Sequence, residues 1–242
     1  MRCKETAKKY NEIKTAQEWV EQGALAYDAG NYDEAIFCCT EALTLDPKCI
    51  EALKIKGGAK YAQGKFDEAI TCSEEVLKLN PTFALGFANQ ALLFAHLGQY
   101  AKALACGDKA IALDDKDPRV WSNKGNVYLL RGDIQNAKDC FFKALSYEPS
   151  RAGTLQGLGL IAEKEGDIAK AKNYFDQVEA CMKNHAEGKT YTSGFYSARG
   201  EVYLAFNEFD KAKSFFEKAL ELTPEYGLAK QGLNKIRAKS QP

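Results

Sequence analysis

The strongest constraint on this chain is a short string that returns at a fixed interval. It reads GNYDEA from Gly30, GKFDEA from Gly64, GQYAKA from Gly98, GDIQNA from Gly132 and GDIAKA from Gly166. The glycines stand 34 residues apart with no gap. A sixth copy, NEFDKA, begins at Asn207, 41 residues after Gly166, so seven residues are inserted, about 186–192 (AEGKTYT). Counting each unit so that this Gly or Asn is position 15 gives repeats 16–49, 50–83, 84–117, 118–151, 152–185 and 193–226. Self-similarity at such a period is the mark of a stack of like units, each too small to bury its own apolar face.

The pattern inside a unit describes a helical hairpin. Small residues fall at position 8 (Gly23, Gly57, Ala91, Gly125, Gly159, Gly200), at position 20 (Ala35, Ala69, Ala103, Ala137, Ala171, Ala212) and mostly at 27 (Ala42, Ala110, Ala144, Ala219, with Val76 and Val178). Large apolar residues occupy position 4: Trp19, Leu53, Phe87, Trp121, Leu155 and Tyr196. Positions 4, 8 and 11 share one face of a first helix, and 20, 24 and 27 one face of a second. Small side chains there let two helix axes approach to about 8–10 Å. Glycine at position 15 suits the left-handed turn that ends the first helix, and Asn207 is the next best residue. Proline at position 32 (Pro47, Pro81, Pro149, Pro224) stops the second helix.

This pattern resembles the tetratricopeptide repeat (TPR) over residues 16–226, nearly nine-tenths of the chain. The resemblance implies an all-α, right-handed superhelical solenoid of six helix-turn-helix TPR repeats, its concave face made by the first helices. Repeat 3 departs with Asp115 at position 32 and Pro118 displaced into repeat 4; repeat 5 has Lys183 there, so its second helix is expected to run longer. Residues 227–242 (GLAKQGLNKIRAKSQP) read as a C-terminal capping helix and tail. Leu228, Leu233 and Ile236 are expected inward, and Lys230, Lys235 and Arg237 outward. Residues 1–15 read as an N-terminal arm, or as an extension of the first helix through Ala7, Tyr10 and Ile13.

Composition narrows the function classes. The chain has 33 basic and 33 acidic side chains, so it lacks the basic excess of a general nucleic-acid binder. No stretch has the roughly 18–20 apolar residues of a membrane span, and the charged N-terminus is not a secretory signal. Eight cysteines with no export signal point to a cytoplasmic location with free thiols. Residues 1–14 carry net +3 and 227–242 net +4, leaving the middle at −7.

Chemistry-bearing motifs fail one by one. Gly188-Lys189-Thr190 echoes a phosphate loop, but Lys183 stands where that loop needs glycine and no strand precedes it. Gly153, Gly157 and Gly159 lie inside a helix and not after a strand; Gly159 is the packing position, and Gly153 and Gly157 read as a bare groove floor. Cys38, Cys72, Cys106 and Cys140 all take position 23, too far apart along the stack for disulfides and without zinc-type pairing; they read as small apolar packing residues. Cys181 and His185 are four apart but have no further ligand nearby, and His96 and His185 lack a nucleophile or carboxylate at a recognisable spacing. The expectation is a non-enzyme with no cofactor and no metal.

What remains is binding. The resemblance assigns the concave face to positions 2, 5, 9, 12 and 13 of each first helix, with 6 nearby. Those positions include Val20, Ala24, Tyr27, Lys54, Gly58, Tyr61, Leu85, Ala88, Leu92, Ala95, His96, Arg119, Ser122, Asn126, Leu129, Leu130, Leu160, Ser197 and Leu204, with Asn89 and Asn123 beside them. A leucine-lined groove bordered by amides suits an amphipathic helix or an extended peptide from another protein. The peptide-binding candidates are therefore Tyr27, Lys54, Tyr61, Leu85, Asn89, Leu92, Arg119, Asn123, Asn126, Leu129 and Leu160. The function expected is a protein-protein interaction adaptor or scaffold. The alternative is a co-chaperone-like module gripping an acidic C-terminal tail through a carboxylate clamp. Lys54, Asn89 and Arg119 match that clamp, while Gly58 and Asn123 depart from it. Mixed and partly apolar columns argue against nucleic acid as partner, and Tyr27 and Tyr61 leave homo-oligomerisation open.

Overall fold

The computed structural model describes residues 15–184, 193–224 and 227–239. They form thirteen α-helices and, among the described residues, no strand. In chain order these are α1 (Ala16–Asp28), α2 (Tyr32–Leu45), α3 (Ile50–Ala62), α4 (Phe66–Leu79), α5 (Ala84–His96), α6 (Tyr100–Leu113), α7 (Pro118–Arg131), α8 (Ile134–Tyr147), α9 (Ala152–Lys164), α10 (Ile168–Asn184), α11 (Ser193–Ala205), α12 (Phe209–Leu222) and α13 (Gly227–Lys239). Two compact units divide between Asp115 and Lys116. In the first, α1–α2, α3–α4 and α5–α6 form hairpins; α2 packs on α3, α4 on α5, and α1 also touches α3. In the second, α7–α8, α9–α10 and α11–α12 do the same, and α13 closes on α11 and α12.

Backbone chemistry ends every first helix in the same way. Gly30, Gly64, Gly98, Gly132 and Gly166 have φ between 72° and 86°, and Asn207 has φ 57°. The following amide then reaches back to satisfy an otherwise orphaned helical carbonyl, as in Asn31 N–H to Ala26 O (2.8 Å) and Glu208 N–H to Tyr203 O (3.0 Å). Second helices stop at an extended residue such as Asp46 (φ −133°, ψ 94°), the geometry that a following proline favours. Asp114 adopts it too (φ −153°, ψ 97°) although Asp115 follows, so packing can impose what proline elsewhere encodes. Asp117 caps α7 by accepting from the Arg119 amide, with Pro118 at the first helical position. As expected, α10 is longer than its counterparts, with 17 residues against 14 in α8.

Thr15 settles where α1 begins. It is extended (φ −119°, ψ 151°), accepts from the Glu18 amide, and its own amide donates to the Glu18 carboxylate. A helix running through Thr15 is thereby corrected; Ala7, Tyr10 and Ile13 lie outside the described residues.

The core is built on close approach. The position-20 alanines are 0–1% exposed, so nothing larger fits without moving a helix. In the second unit position 24 is phenylalanine, and each ring fills the space a neighbouring glycine leaves. A Cβ on Gly125 would lie 2.6 Å from Phe141, and one on Gly200 would lie 2.6 Å from Phe216. The same rings also touch the next hairpin: a Cβ on Gly157 would meet Phe141 at 2.5 Å, and one on Gly232 would meet Phe216 at 2.2 Å. Gly157 is therefore not a bare surface, as the sequence suggested; it receives the ring of the preceding hairpin. Gly153 does face open space.

Helix α13 takes the register of one more first helix. Ala229, at position 3, is fully buried, Ile236 is buried and Leu233 half-buried. Leu228 is 57% exposed, which corrects its expected inward placement. The positions that would meet a further second helix are Lys230, Asn234 and Arg237, all exposed.

One charged group is packed inside. Arg199 of α11 is 1% exposed; its Nη2 donates to Asp176 (3.0 Å) and Glu179 (2.5 Å) of α10 and to the Tyr203 hydroxyl (3.1 Å). The Phe215 ring lies 4.8 Å from the guanidinium. This ion-paired, aromatic-backed contact ties α10 to α11 across the inserted segment.

Candidate functional site

The first helices carry the candidate surface, and each unit presents its own part. In the first unit, Tyr27 of α1 lies flat against α3: a Cβ on Gly58 would stand 3.2–3.4 Å from its ring and hydroxyl. Tyr61 of α3 repeats the step, its hydroxyl 2.9 Å from His96 Nε2 on α5. His96 stacks on Phe66 (centroids 4.8 Å, planes 7° apart), and Tyr61 meets both rings at 5.3–5.8 Å. Tyr27 and Tyr32 pack edge to face at 5.7 Å. The result is an aromatic shelf along the C-terminal ends of α1, α3 and α5, with Tyr61 40% exposed.

Burial sets the proton affinities of this shelf. It raises the Tyr27 hydroxyl above the ordinary tyrosine value, helped by nearby Tyr32 and Asp28, and raises Tyr61, helped by Tyr27. It lowers His96, because the charged imidazolium loses solvation. At neutral pH these groups are uncharged. The arrangement offers ring faces, two hydroxyls and an imidazole.

Nearer the N-terminal ends of the same helices, Lys54 is exposed but bonded to Glu51 at 3.0 Å and sits 6.0 Å from the Phe83 ring. Leu85 and Leu92 of α5 are half-buried and Asn89 is exposed. In the second unit Arg119 is exposed and held by Asp117 in a fork of 2.6–3.0 Å bonds. Those bonds hold the Asp117 carboxyl below its ordinary pKa. Asn123, Asn126 and Leu129 of α7 and Leu160 of α9 are half-buried, and Leu130 is 42% exposed.

Several residues that the resemblance placed on the surface are buried instead: Val20, Ala88, Ala95, Ser122, Ser197 and Leu204, all at 5% exposure or less. Within each unit some adjacent first helices touch: α1 meets α3, α7 meets α9, and α11 meets α9 and α13. Ser122 of α7 accepts a bond from Thr154 of α9 at 3.1 Å, wholly inside. As for the carboxylate clamp, the position of its first asparagine is Gly58, roofed by Tyr27, and both matching cations already hold a carboxylate of this chain.

Phe66 was missed in the sequence although it shapes the shelf. The signal was present: position 17 is aromatic in four units (Tyr32, Phe66, Tyr100, Phe209), one turn from the position-12 and position-13 rings. The position-23 cysteines behave as packing groups, with Cys38, Cys72 and Cys140 buried and Cys106 half-buried, its thiol 3.5 Å from Gln90 Oε1. Among the described residues no three His, Cys, Asp or Glu side chains come together as metal ligands; His185 lies outside them. No described helix is long and apolar enough to cross a membrane.

Family models described as tetratricopeptide repeat match residues 16–49, 56–118, 118–151, 152–179 and 193–226. The chain belongs to the tetratricopeptide-repeat family. Similar solved structures include a tetratricopeptide repeat protein from Parabacteroides merdae, 21% identical, with TM-score 0.70 over 92% of this chain and 84% of that one. A chain of the APC/C hetero-tetramer Cut9–Hcn1 is 20% identical with TM-score 0.70, and the match covers 96% of this chain and 45% of that chain. The type IV pilus biogenesis factor PilW is 17% identical with TM-score 0.61, over 90% and 98%. At these identities the likeness shows the fold. No curated protein matches the sequence. A tetratricopeptide-repeat chain is a scaffold for protein-protein interaction.

Proposed function

We propose that this tetratricopeptide-repeat protein is a non-catalytic adaptor that holds a segment of a partner protein on the exposed face of its first helices. The observation that carries this reading is the run of apolar and amide side chains along the first helices. Second helices expose large apolar side chains mainly at their last residue (Leu45, Leu79, Leu113, Tyr147, Leu222), with Phe142 besides. First helices leave Tyr27, Tyr61, Leu85, Leu92, Leu129, Leu130 and Leu160 partly or wholly in solvent, interspersed with Asn89, Asn123 and Asn126. Apolar side chains of a bound segment would find these surfaces, and the amides suit its backbone N–H and C=O groups.

Capture from native lysate tests the reading. Wild type is compared with Leu92→Glu/Leu129→Glu and with Glu74→Lys on α4, after circular dichroism shows equal helicity. Loss of a partner from the double variant alone supports first-helix binding. An unchanged partner set, or loss with Glu74→Lys alone, contradicts it.

A further inference from the structure

Charge is divided between the two units. The first unit, residues 1–115, carries thirteen basic and seventeen acidic side chains, net −4, and its stretch 16–115 alone is net −7; the second unit, 116–242, carries twenty basic and sixteen acidic, net +4. The aromatic shelf belongs to the acidic unit. Lys54, farther along the same face, is paired with Glu51. Asp28, the residue after Tyr27, is the last residue of α1 and is exposed. Ring faces beside an exposed carboxylate, in a negative field, form a site for a cation: the π-face attracts a guanidinium or ammonium, and the carboxylate completes its solvation. This chain already uses such contacts internally, with Lys109 4.0 Å from the Phe87 ring centroid.

Resting on the adaptor reading, we propose that the shelf of Tyr27, Tyr61 and His96 takes a basic segment of the partner. An arginine or lysine lies over Tyr27 or Tyr61 with its charge against Asp28. The partner's chemical class is therefore basic-and-apolar, opposite to the acidic tail that a carboxylate clamp would take.

Fluorescence anisotropy with two labelled probes tests this: a peptide of alternating arginine and leucine pairs, and its counterpart with glutamate for every arginine. The proposal expects the arginine probe to bind and the glutamate probe not to. Asp28→Lys, at an exposed position, should weaken the arginine probe about ten-fold. Tyr27→Leu, which keeps apolar cover over Gly58, should weaken it about three- to five-fold. Glu74→Lys makes the same change in net charge on α4 and should have less than about a two-fold effect. Equal losses from Asp28→Lys and Glu74→Lys would overturn the shelf as the site, leaving only diffuse attraction. Preference for the glutamate probe would overturn the basic class while leaving the adaptor reading standing. Binding of neither probe, with partner capture still lost in Leu92→Glu/Leu129→Glu, would also overturn this proposal and not that reading.

Discussion

Phe141 and Gly157 occupy one space: the ring of α8 lies where a Cβ on α9 would stand, 2.5 Å from its nearest atom. Sixteen residues separate them, and Phe216 and Gly232 repeat the relation at the same spacing. In the first unit the equivalent pairs are Cys39 with Ile55, where the bulk is on the opposite side, and Ser73 with exposed Asn89. Where a phenylalanine stands at this position and a glycine sixteen residues on, the two fit knob to hollow, and the size of one residue sets what the other can be.

Substitution at Gly157 should therefore separate packing from helix propensity. Gly157→Ala gains about 1 kcal/mol of propensity but overpacks a fully buried ring, at about 1–3 kcal/mol, for a net loss of up to about 2 kcal/mol. Gly153→Ala, in the same helix but open to solvent, should stabilise by about 0.5–1 kcal/mol. Urea titration of both variants checks the pair, and equal effects would refute the knob-to-hollow account.

Asn207 holds φ 57° where the other units have glycine. Asn207→Ala should cost about 1 kcal/mol, since alanine lacks the local hydrogen bonding that eases this conformation. Asn207→Gly should be neutral or better by a few tenths of a kcal/mol. Thermal melts of the two variants would show the ordering Gly ≥ Asn > Ala.

Arg199 predicts an asymmetry between the partners of an ion pair. The guanidinium is buried, whereas the Asp176 and Glu179 side chains are 50% and 44% exposed. Its Nε and Nη1 have no hydrogen-bond partner, so burial costs it solvation that is not fully returned. Arg199→Met should thus change stability by less than about 1 kcal/mol, because the carboxylates left behind are solvated. Asp176→Asn/Glu179→Gln strands the buried charge and should cost about 2–4 kcal/mol. Chemical denaturation of both variants reads the difference directly.

Cys39 links stability to alkaline pH. Burial, with Cys38 nearby, pushes its thiol from 9.0 to about 12. The folded state holds that proton more tightly than the unfolded one, so its contribution is complete below pH 9 and is lost as pH rises from 9 towards 12. A Cys39→Ala variant should show a shallower fall in melting temperature across that window. At pH 8, iodoacetamide followed by peptide mass spectrometry should label half-buried Cys49, Cys106 and Cys181 before Cys38 and Cys39.

Much of this architecture is legible in the period alone. Gly30 and its successors announce the left-handed turn, and the Ala35 series announces the closest helix contacts, because each is a steric requirement met within one hairpin. What stayed hidden depends on two hairpins at once. Gly157 looked like open floor because its partner, Phe141, belongs to the preceding repeat. Ser122 looked accessible because its contact with Thr154 of the neighbouring first helix is not written in either helix's own amphipathic pattern. Leu228 was misplaced for a similar reason: α13 follows the repeat register, which turns Ala229 inward, and not the face its leucines outline. The shelf was half legible, in Tyr27 and Tyr61, while Phe66 and His96 join it only through ring contacts across the fold.

The most direct test of partner binding by the first helices is site-specific photo-crosslinking in cells. Benzoylphenylalanine would replace Asn89 or Leu130 on the first helices, or Glu74 or Phe142 on the second, all four being exposed positions. The account predicts crosslinked partner adducts from Asn89 and Leu130 and none from Glu74 and Phe142. Adducts from Glu74 or Phe142, with none from Asn89 and Leu130, would contradict it.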